Sequence, residues 1–377
     1  MQKAVAFATA FFEEKEMLDT YDLSLLVEPL LEWYPSHARV LPWREDPTPY
    51  HVWVSESMLQ QTRVEAVKPF YARFMEDLPD VQALAECETD RLLKLWEGLG
   101  YYNRVRNMQT AAQTIMSEYG GVIPDEYEEL LKLKGIGHYT AAAISSIAYN
   151  HPAAAVDGNV LRILMRATED DSDIAKQSVK TKVEQALLPV IPHDRPGMFT
   201  QAMMELGATV CVPNGEPLCQ ECPWQTLCLA HENGTTAHIP VKAKPKARRL
   251  EKKTVLVIRD GDRVLLQKRP QQGLLAGMYE FPYIEGYPSE KKVLDFIKEQ
   301  GLSPIRIQKL PEAKHIFSHV EWKMRGYAIL VEEPKSDSGL LFVEPETSEK
   351  QYAIPAAYAA YSRYMNIRIG QEKFLES

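Results

Sequence analysis

No run of apolar residues in this 377-residue chain reaches the roughly 18 that a membrane-crossing helix needs. Internal repeats and low-complexity tracts are absent. With 45% hydrophobic and 25% charged residues, the composition excludes a largely disordered chain and a collagen-like fibre. Cysteine is scarce. Five residues, an odd number, exclude a small disulfide scaffold. A secretion signal is missing too: the apolar stretch Ala4–Phe12 is short, is followed by Glu13, Glu14 and Glu16, and has no small-residue cleavage site. Residues 1–22 therefore read as an N-terminal extension, and the expected compartment is cytoplasmic. Positive charge is in deficit, 43 Lys and Arg against 52 Asp and Glu, for a net charge of −9. That average argues against a nucleic-acid partner. DNA binding, however, needs only a local basic face, and Lys242, Lys244, Lys246, Arg248, Arg249, Lys252 and Lys253 cluster against the single acid Glu251.

What is present divides into two halves. Residues 23–230 show helix-like apolar spacing punctuated by Gly, Pro and Asp, with no convincing strand. Weak periodicity with Gly234, Pro240 and Pro245 marks 231–251 as a basic linker. Beyond it the period changes. Thr254–Arg259 and Arg263–Lys268 flank Asp260-Gly261-Asp262, a hairpin turn. Tyr279–Ile284, Ile305–Lys309 and Trp322–Val331 add strands, and Ser289–Gln300 and Pro355–Tyr364 add helices. The second half, 252–368, is α+β, and 369–377 is a tail.

Four cysteines are spaced Cys211-x7-Cys219-x2-Cys222-x5-Cys228. Thiolates are soft donors, and four together suit zinc or an iron–sulfur cluster; spacing leaves both open. Leu133-Lys134-Gly135-Ile136-Gly137-His138-Tyr139-Thr140 joins two helical patterns. Such a turn exposes backbone N–H groups that cradle a phosphate, or simply connects two helices. Asp157 precedes an apolar-periodic helix, as a helix cap or as a carboxylate fixed to face a cation. Glu56 stands mid-helix in Val52-Trp53-Val54-Ser55-Glu56-Ser57-Met58-Leu59. Burial there would raise its pKa and keep it protonated near neutrality.

The glycine turn, the later Val156-Asp157-Gly158-Asn159 and the four-cysteine loop, in that order, resemble the helix-hairpin-helix DNA glycosylase superfamily. Within it, Leu41–Arg44 (LPWR), Val54–Thr62 (VSESMLQQT), Trp96–Asn107 (WEGLGYYNRVRN) and Leu133–Ala141 (LKGIGHYTA) resemble the MutY-type adenine DNA glycosylases, as does Phe317–His319 (FSH). The similarity runs over about residues 23–368. The first gap of the cysteine loop is one residue longer than the family pattern, which puts its local geometry in question.

This resemblance implies a fold: an all-α helix-hairpin-helix core over 23–230 with a 4Fe–4S cluster loop over 211–228, then an α+β Nudix-like lesion-recognition domain over 252–368. It implies a reaction, removal of adenine mispaired with 8-oxoguanine or guanine in double-stranded DNA by a monomeric enzyme. Glu56 would protonate adenine N7, and Asp157, supported by Asn159, would stabilise the oxocarbenium ion. Tyr139 stands where the related bifunctional glycosylases carry a Schiff-base Lys, so no strand cleavage is expected. Trp43, Arg44 and Gln201 would surround the extruded base. Gln61, Thr62, Tyr101, Gly135 and Gly137 would hold and wedge the DNA. Phe317, Ser318 and His319 would read the lesion, and Cys211, Cys219, Cys222 and Cys228 would hold the cluster. The acidic pairs of a Nudix hydrolase are missing between Gly277 and Leu302, so the second domain should bind without hydrolysing, and a nucleotide pyrophosphohydrolase is disfavoured. The other readings are an endonuclease III-like pyrimidine glycosylase/lyase, against which Tyr139 and the second domain speak, and a non-catalytic damage-binding protein, against which the presence of both Glu56 and Asp157 speaks.

Overall fold

The computed structural model describes residues 18, 20–243, 247–334 and 338–370. Most of the expected extension and tail, with Lys244 and Lys246 of the basic run, lies outside the described residues. Among these residues no helix is long and apolar enough to cross a membrane. The chain forms two compact units. One comprises Met1–Trp53, Pro124–Lys132 and Ile136–Lys244; the other comprises Val54–Ile123, Leu133–Gly135 and Pro245–Ser377. The helical stretch 54–123 falls in the second unit together with the C-terminal residues.

The first unit is helical. Its core is built on helices Val27–His37, Gly158–Thr168, Gln177–Leu187 and Pro196–Thr209. In Gly158–Thr168 the residues Val160, Ile163, Leu164 and Ala167 recur at helical spacing and are buried. Asp157 caps the start of that helix. Glu169, in the left-handed conformation at φ 53°, ends it by donating its N–H to the carbonyls of Met165 and Arg166. The helix expected at Thr140–Tyr149 is divided into α-helix His138–Ala143 and a π-helical turn Ile144–Ala148.

The second unit holds a mixed sheet of β1 (Arg249–Asp260), β2 (Arg263–Lys268), β3 (Tyr279–Glu280), β4 (Tyr283–Glu285), β5 (Pro304–Ile316), β6 (Val320–Val331) and β7 (Leu341–Val343). The order is β3-β2-β1-β6-β5, with β4 also paired to β1 and β7 to β2. β1 and β6 run parallel; every other pair is antiparallel. Alternation along the strands makes two cores. Val255, Val257, Trp322 and Met324 pack with Tyr358 and Tyr361 on one face. Leu256, Ile258, Tyr327 and Ile329 pack with Val293 and Ile297 of helix Glu290–Glu299 on the other.

Several sequence expectations change here. β1 begins at Arg249, inside the expected linker, because parallel pairing from Arg249↔Val320 onward draws the basic run into the sheet. β5 is far longer than Ile305–Lys309, since register shifts at Pro304/Arg306 and Leu310/Ala313 carry the strand across positions that break its alternation. β7 and helix Pro345–Gln351 were not expected, and Pro355–Tyr364 is a series of short turns rather than one helix.

Within the second unit, polar contacts join the helical stretch to the sheet region. Buried Glu97 accepts from the Ile354 N–H at 2.7 Å. Lys94 Nζ donates to the carbonyl of Tyr352 at 2.6 Å and pairs with Glu97 at 3.1 Å. Asp90 accepts from Tyr279 Oη at 2.8 Å and pairs with Lys268 at 2.6 Å.

Gly326 of β6 is required by close packing. A Cβ there would overlap the fully buried Tyr361 ring and lie 3.1 Å from Leu310 Cβ. Gly326→Ala should destabilise this unit by about 1–3 kcal/mol through overpacking. A lowered thermal midpoint checks it; an unchanged midpoint would show that the ring moves aside freely.

Candidate active site and cysteine loop

Asp157 is half-buried at the start of helix Gly158–Thr168. Its Oδ1 accepts from the backbone N–H groups of Asn159 and Val160, both at 2.8 Å, and its Oδ2 accepts from Asn159 Nδ2 at 2.8 Å. The cap expected from sequence is therefore real, and it fixes both carboxylate oxygens. Burial raises the carboxyl above its ordinary 3.8, against the opposing pull of the Val160 and Asn159 hydrogen bonds and the nearby Arg162. Arg162, one turn on, donates to Asn159 Oδ1 at 2.8 Å, the Gly207 carbonyl at 2.7 Å and the Cys211 carbonyl at 2.7 Å. Sequence reading overlooked it. Its position five residues after the cap of a buried helix was the available signal.

A second group surrounds Glu205, which is fully buried. Arg39 Nε donates to its Oε1 at 2.6 Å and Arg44 Nη2 to its Oε2 at 2.8 Å. Burial alone would raise the Glu205 carboxyl, but the two guanidinium groups outweigh it and hold the carboxyl below its ordinary value. Arg44 lies 5.8 Å from the Tyr34 ring centroid, and Tyr34 Oη donates to Gln201 Oε1 at 3.3 Å. Arg44 and Gln201, both expected at a base pocket, are thus linked through Tyr34, and Trp43 beside Arg44 in sequence is buried. Glu205, one helical turn from Gln201, was not anticipated because a single Glu on an apolar helix carries no pairing signal.

The four clustered thiols, each half-buried, line one cavity with Arg166 and Trp224, an empty space of about 400 Å³ that includes open solvent. Arg166 Nη1 donates to Cys211 Sγ at 3.2 Å, and Cys228 Sγ contacts the Arg166 carbonyl at 3.3 Å. Burial pushes the Cys222 thiol up to about 12 and that of Cys228 up to about 11. Buried thiolates crowded together need a compensating cation. Among the described residues no group of three or more His, Cys, Asp or Glu side chains converges on a single metal ion. The longer first gap keeps Cys211 on the cavity wall with the other three.

Tyr139 is half-buried in helix His138–Ala143, which Gly137 starts in an extended conformation. Gly135 has φ +82°, and a Cβ there would meet Asn107 Cβ at 2.6 Å, so glycine is demanded twice over. Gly137 is exposed with open space around its Cα, so conformation does not demand it.

The remaining candidates lie in the second unit. Glu56, 6% exposed, sits on helix Pro49–Leu59 among buried Val54, Ser55, Ser57 and Met58. Gln61 and Tyr101 both adopt the left-handed conformation, at φ 60° and 48°. Tyr101 Oη meets Gln61 Oε1 and lies 3.0 Å from Ser318 Oγ. Thr62 is half-buried, its N–H donating to the Leu59 carbonyl at 3.2 Å. The 317–319 turn is closed by the Phe317 N–H to the Val320 carbonyl at 2.8 Å. Ser318 and His319 are exposed, whereas Phe317 is half-buried with its ring edge-on to Trp322 at 4.9 Å, so it anchors the turn while the other two present its surface. Arg104 is a further residue that sequence reading missed. It donates to the carbonyls of Ser57 at 2.5 Å and Gln60 at 2.8 Å, and to those of Leu99 and Gly100 at 3.2 Å. It ties the end of the Glu56 helix and the approach to Gln61 to the loop before Tyr101. Burial lowers its pKa to about 10, which leaves it charged at neutrality.

Residues 54–189 match the HhH-GPD superfamily of base excision DNA repair proteins, and residues 254–363 match the NUDIX domain. An adenine DNA glycosylase of Mus musculus is 36% identical over 84% of this chain and 72% of its own. One of Homo sapiens is 35% identical over 80% of this chain and 66% of its own. One of Buchnera aphidicola (subspecies Acyrthosiphon pisum) is 32% identical over 77% of this chain and 82% of its own. With a relative at that identity covering most of both chains, and a helical repair core followed by a Nudix-like sheet, this chain belongs to the adenine DNA glycosylase family.

Proposed function

We propose that the protein is a base-excision repair enzyme that removes adenine paired with 8-oxoguanine or guanine in duplex DNA. The C1′–N9 bond breaks with its electron pair going to adenine as N7 takes the Glu56 proton, water oxygen bonds to C1′ of the deoxyribose, and the water's proton passes to the Glu56 carboxylate, leaving neutral adenine and an abasic site. Family membership supplies the reaction. The observation that carries the assignment of residues is the Asp157 carboxylate, with both oxygens immobilised at a helix start. A fixed anion stabilises a developing oxocarbenium ion without reorganising as the reaction proceeds. Asn159 positions it. Glu56, buried on an apolar helix, serves as the proton donor to N7. Tyr139 offers a hydroxyl and no amine, so the sugar is not captured as a Schiff base. Trp43, Arg44 and Gln201 receive the extruded adenine; Gln201 has a donor and an acceptor for its Watson–Crick edge. Gln61 and Tyr101 fill the vacated stack, and Ser318 and His319 read the opposing lesion.

The four thiols fit a 4Fe–4S cluster: they line one cavity, and if deprotonated there they would need a compensating cation. When bound, the cluster supplies covalent rigidity to the loop that Arg162 and Arg166 contact.

Three outcomes test this reading. On a labelled duplex with adenine opposite 8-oxoguanine, the protein should release adenine, and Glu56→Gln or Asp157→Asn should each slow release by about 10² or more. Alkali-dependent strand breakage measures this. Ser318→Ala should narrow the preference for 8-oxoguanine over guanine, and borohydride should trap little enzyme. Adenine release by both carboxyl variants at the normal rate would refute the assignment.

The second concerns pH. Asp157 must be ionised to stabilise a cation, and burial places its pKa above 3.8. Single-turnover excision should therefore decline as pH falls through a midpoint above that value. Asn159→Ala, which removes a bond to the charged form, should move the midpoint upward. A midpoint that stays put or falls contradicts the role given to Asn159.

The third concerns the metal. The purified protein should contain iron and acid-labile sulfide in equal amounts, and Cys222→Ser should lose both. Stoichiometric zinc without sulfide would replace the cluster with the other metal that suits four thiolates.

A further inference from the structure

Helix Glu290–Glu299 covers one face of the sheet where Leu256, Ile258, Tyr327 and Ile329 lie. Toward the 317–319 turn the same face is open, with Leu250 58% and Ile316 49% exposed. There three lysines stand side by side. Lys252 of β1 is directly opposite Lys323 of β6, and Lys323 is directly opposite Lys314 of β5. Residues directly opposite share a face, and neighbouring strands are about 4.8 Å apart, so three ammonium stems are rooted in a row about 10 Å across. All three are exposed. None is ion-paired among the described residues. Like charges directly opposite one another destabilise a sheet, so the row is held at a cost that a bound anion would remove. On the same face, Arg325 lies 4.1 Å from the Tyr287 ring centroid and pairs with Glu312 at 2.9 Å; Lys252 lies 5.5 Å from that ring. One step toward the turn stands a single carboxylate, Glu321, between Leu250 and Ile316.

We infer that Lys252, Lys323 and Lys314 grip the phosphate backbone of the duplex whose lesion is read at the 317–319 turn. The occupant rests on the proposal above that this turn meets DNA. Lys314 precedes Phe317 by three residues, about 10 Å along a strand. That matches about three nucleotides of helix axis. Compact point charges on flexible stems suit sequence-independent phosphate contacts, which set position and leave base reading to the turn. The row thus makes the Nudix-like sheet a backbone clamp as well as a lesion reader, in a chain whose net charge of −9 gives no general attraction to DNA.

The test compares the full-length protein with the triple variant Lys252→Gln/Lys314→Gln/Lys323→Gln and the charge-conserving Lys→Arg triple. Equilibrium binding is measured by fluorescence anisotropy over a salt series, on an undamaged duplex and on one with adenine opposite 8-oxoguanine. Each phosphate that is no longer neutralised lowers the slope of log affinity against log salt by about 0.9, so the Gln triple should reduce it by about 2–3 on both duplexes. The Arg triple should retain the slope, and the single-turnover rate at saturating enzyme should be unchanged. A Gln triple that folds with an unaltered thermal midpoint and keeps the full slope overturns the inference and points to an acidic protein segment as the occupant. A weakening confined to the lesion duplex overturns it as well, because backbone contacts do not sense the base. If the wild type releases no adenine, the proposed reaction fails, yet the salt slope still decides the lysine row.

Discussion

The hold on Asp157 is the constraint from which the rest of the site follows. A carboxylate at a helix start ordinarily bonds one or two backbone N–H groups and leaves its second oxygen to solvent. Here the second oxygen is taken by Asn159, and Asn159 is itself held by Arg162. Arg162 reaches the Gly207 carbonyl on helix Pro196–Thr209 and the Cys211 carbonyl at the first ligand position of the cysteine loop. One buried cation thus makes the orientation of the carboxylate depend on the loop. A loop locked by the proposed cluster would stiffen the Asp157 carboxylate, which would give a structural metal a mechanical link to the proposed chemistry without a redox step.

Buried guanidinium groups recur as organisers for a common reason. Each offers five donors in a fixed fork and stays charged when desolvated. Arg104 spans five backbone carbonyls at the end of the Glu56 helix and in the loop before Tyr101. Arg39 and Arg44 converge on Glu205. Arg104 lies where one helix ends and a loop precedes the next, and there the backbone carbonyls would otherwise be buried without partners. The two left-handed residues, Gln61 and Tyr101, carry backbone strain that the Arg104 brace supports.

Much of the site could be read in sequence because its chemistry depends on local patterns. Cysteine spacing, a carboxylate at a helix start and glycine at a turn with positive φ are all set within a few residues. Thus Asp157 is the cap expected from its surroundings, with both carboxylate oxygens anchored, and Gly135 occupies a position that tolerates no side chain. Arg162, Glu205 and Arg104 escape a sequence reading because their partners lie far away along the chain, as the 166 residues between Arg39 and Glu205 illustrate. Phe317 reads in sequence as one of three lesion readers, and only the packing of its ring on Trp322 separates it from Ser318 and His319.

The sequence alone determined the helical character of the first half, the change of period after the basic segment, the hairpin at Asp260–Asp262 and the identity of the four thiols. Each rests on periodicity, turn chemistry or donor type, which are properties of neighbouring residues. Tertiary structure alone decided that β1 starts at Arg249, that β5 runs across its bulge to Ile316, and that Lys252, Lys323 and Lys314 fall into one row. Strand register depends on pairing between segments far apart in the chain, 71 residues for Lys252 and Lys323, and a shift of one residue would turn each lysine to the opposite face.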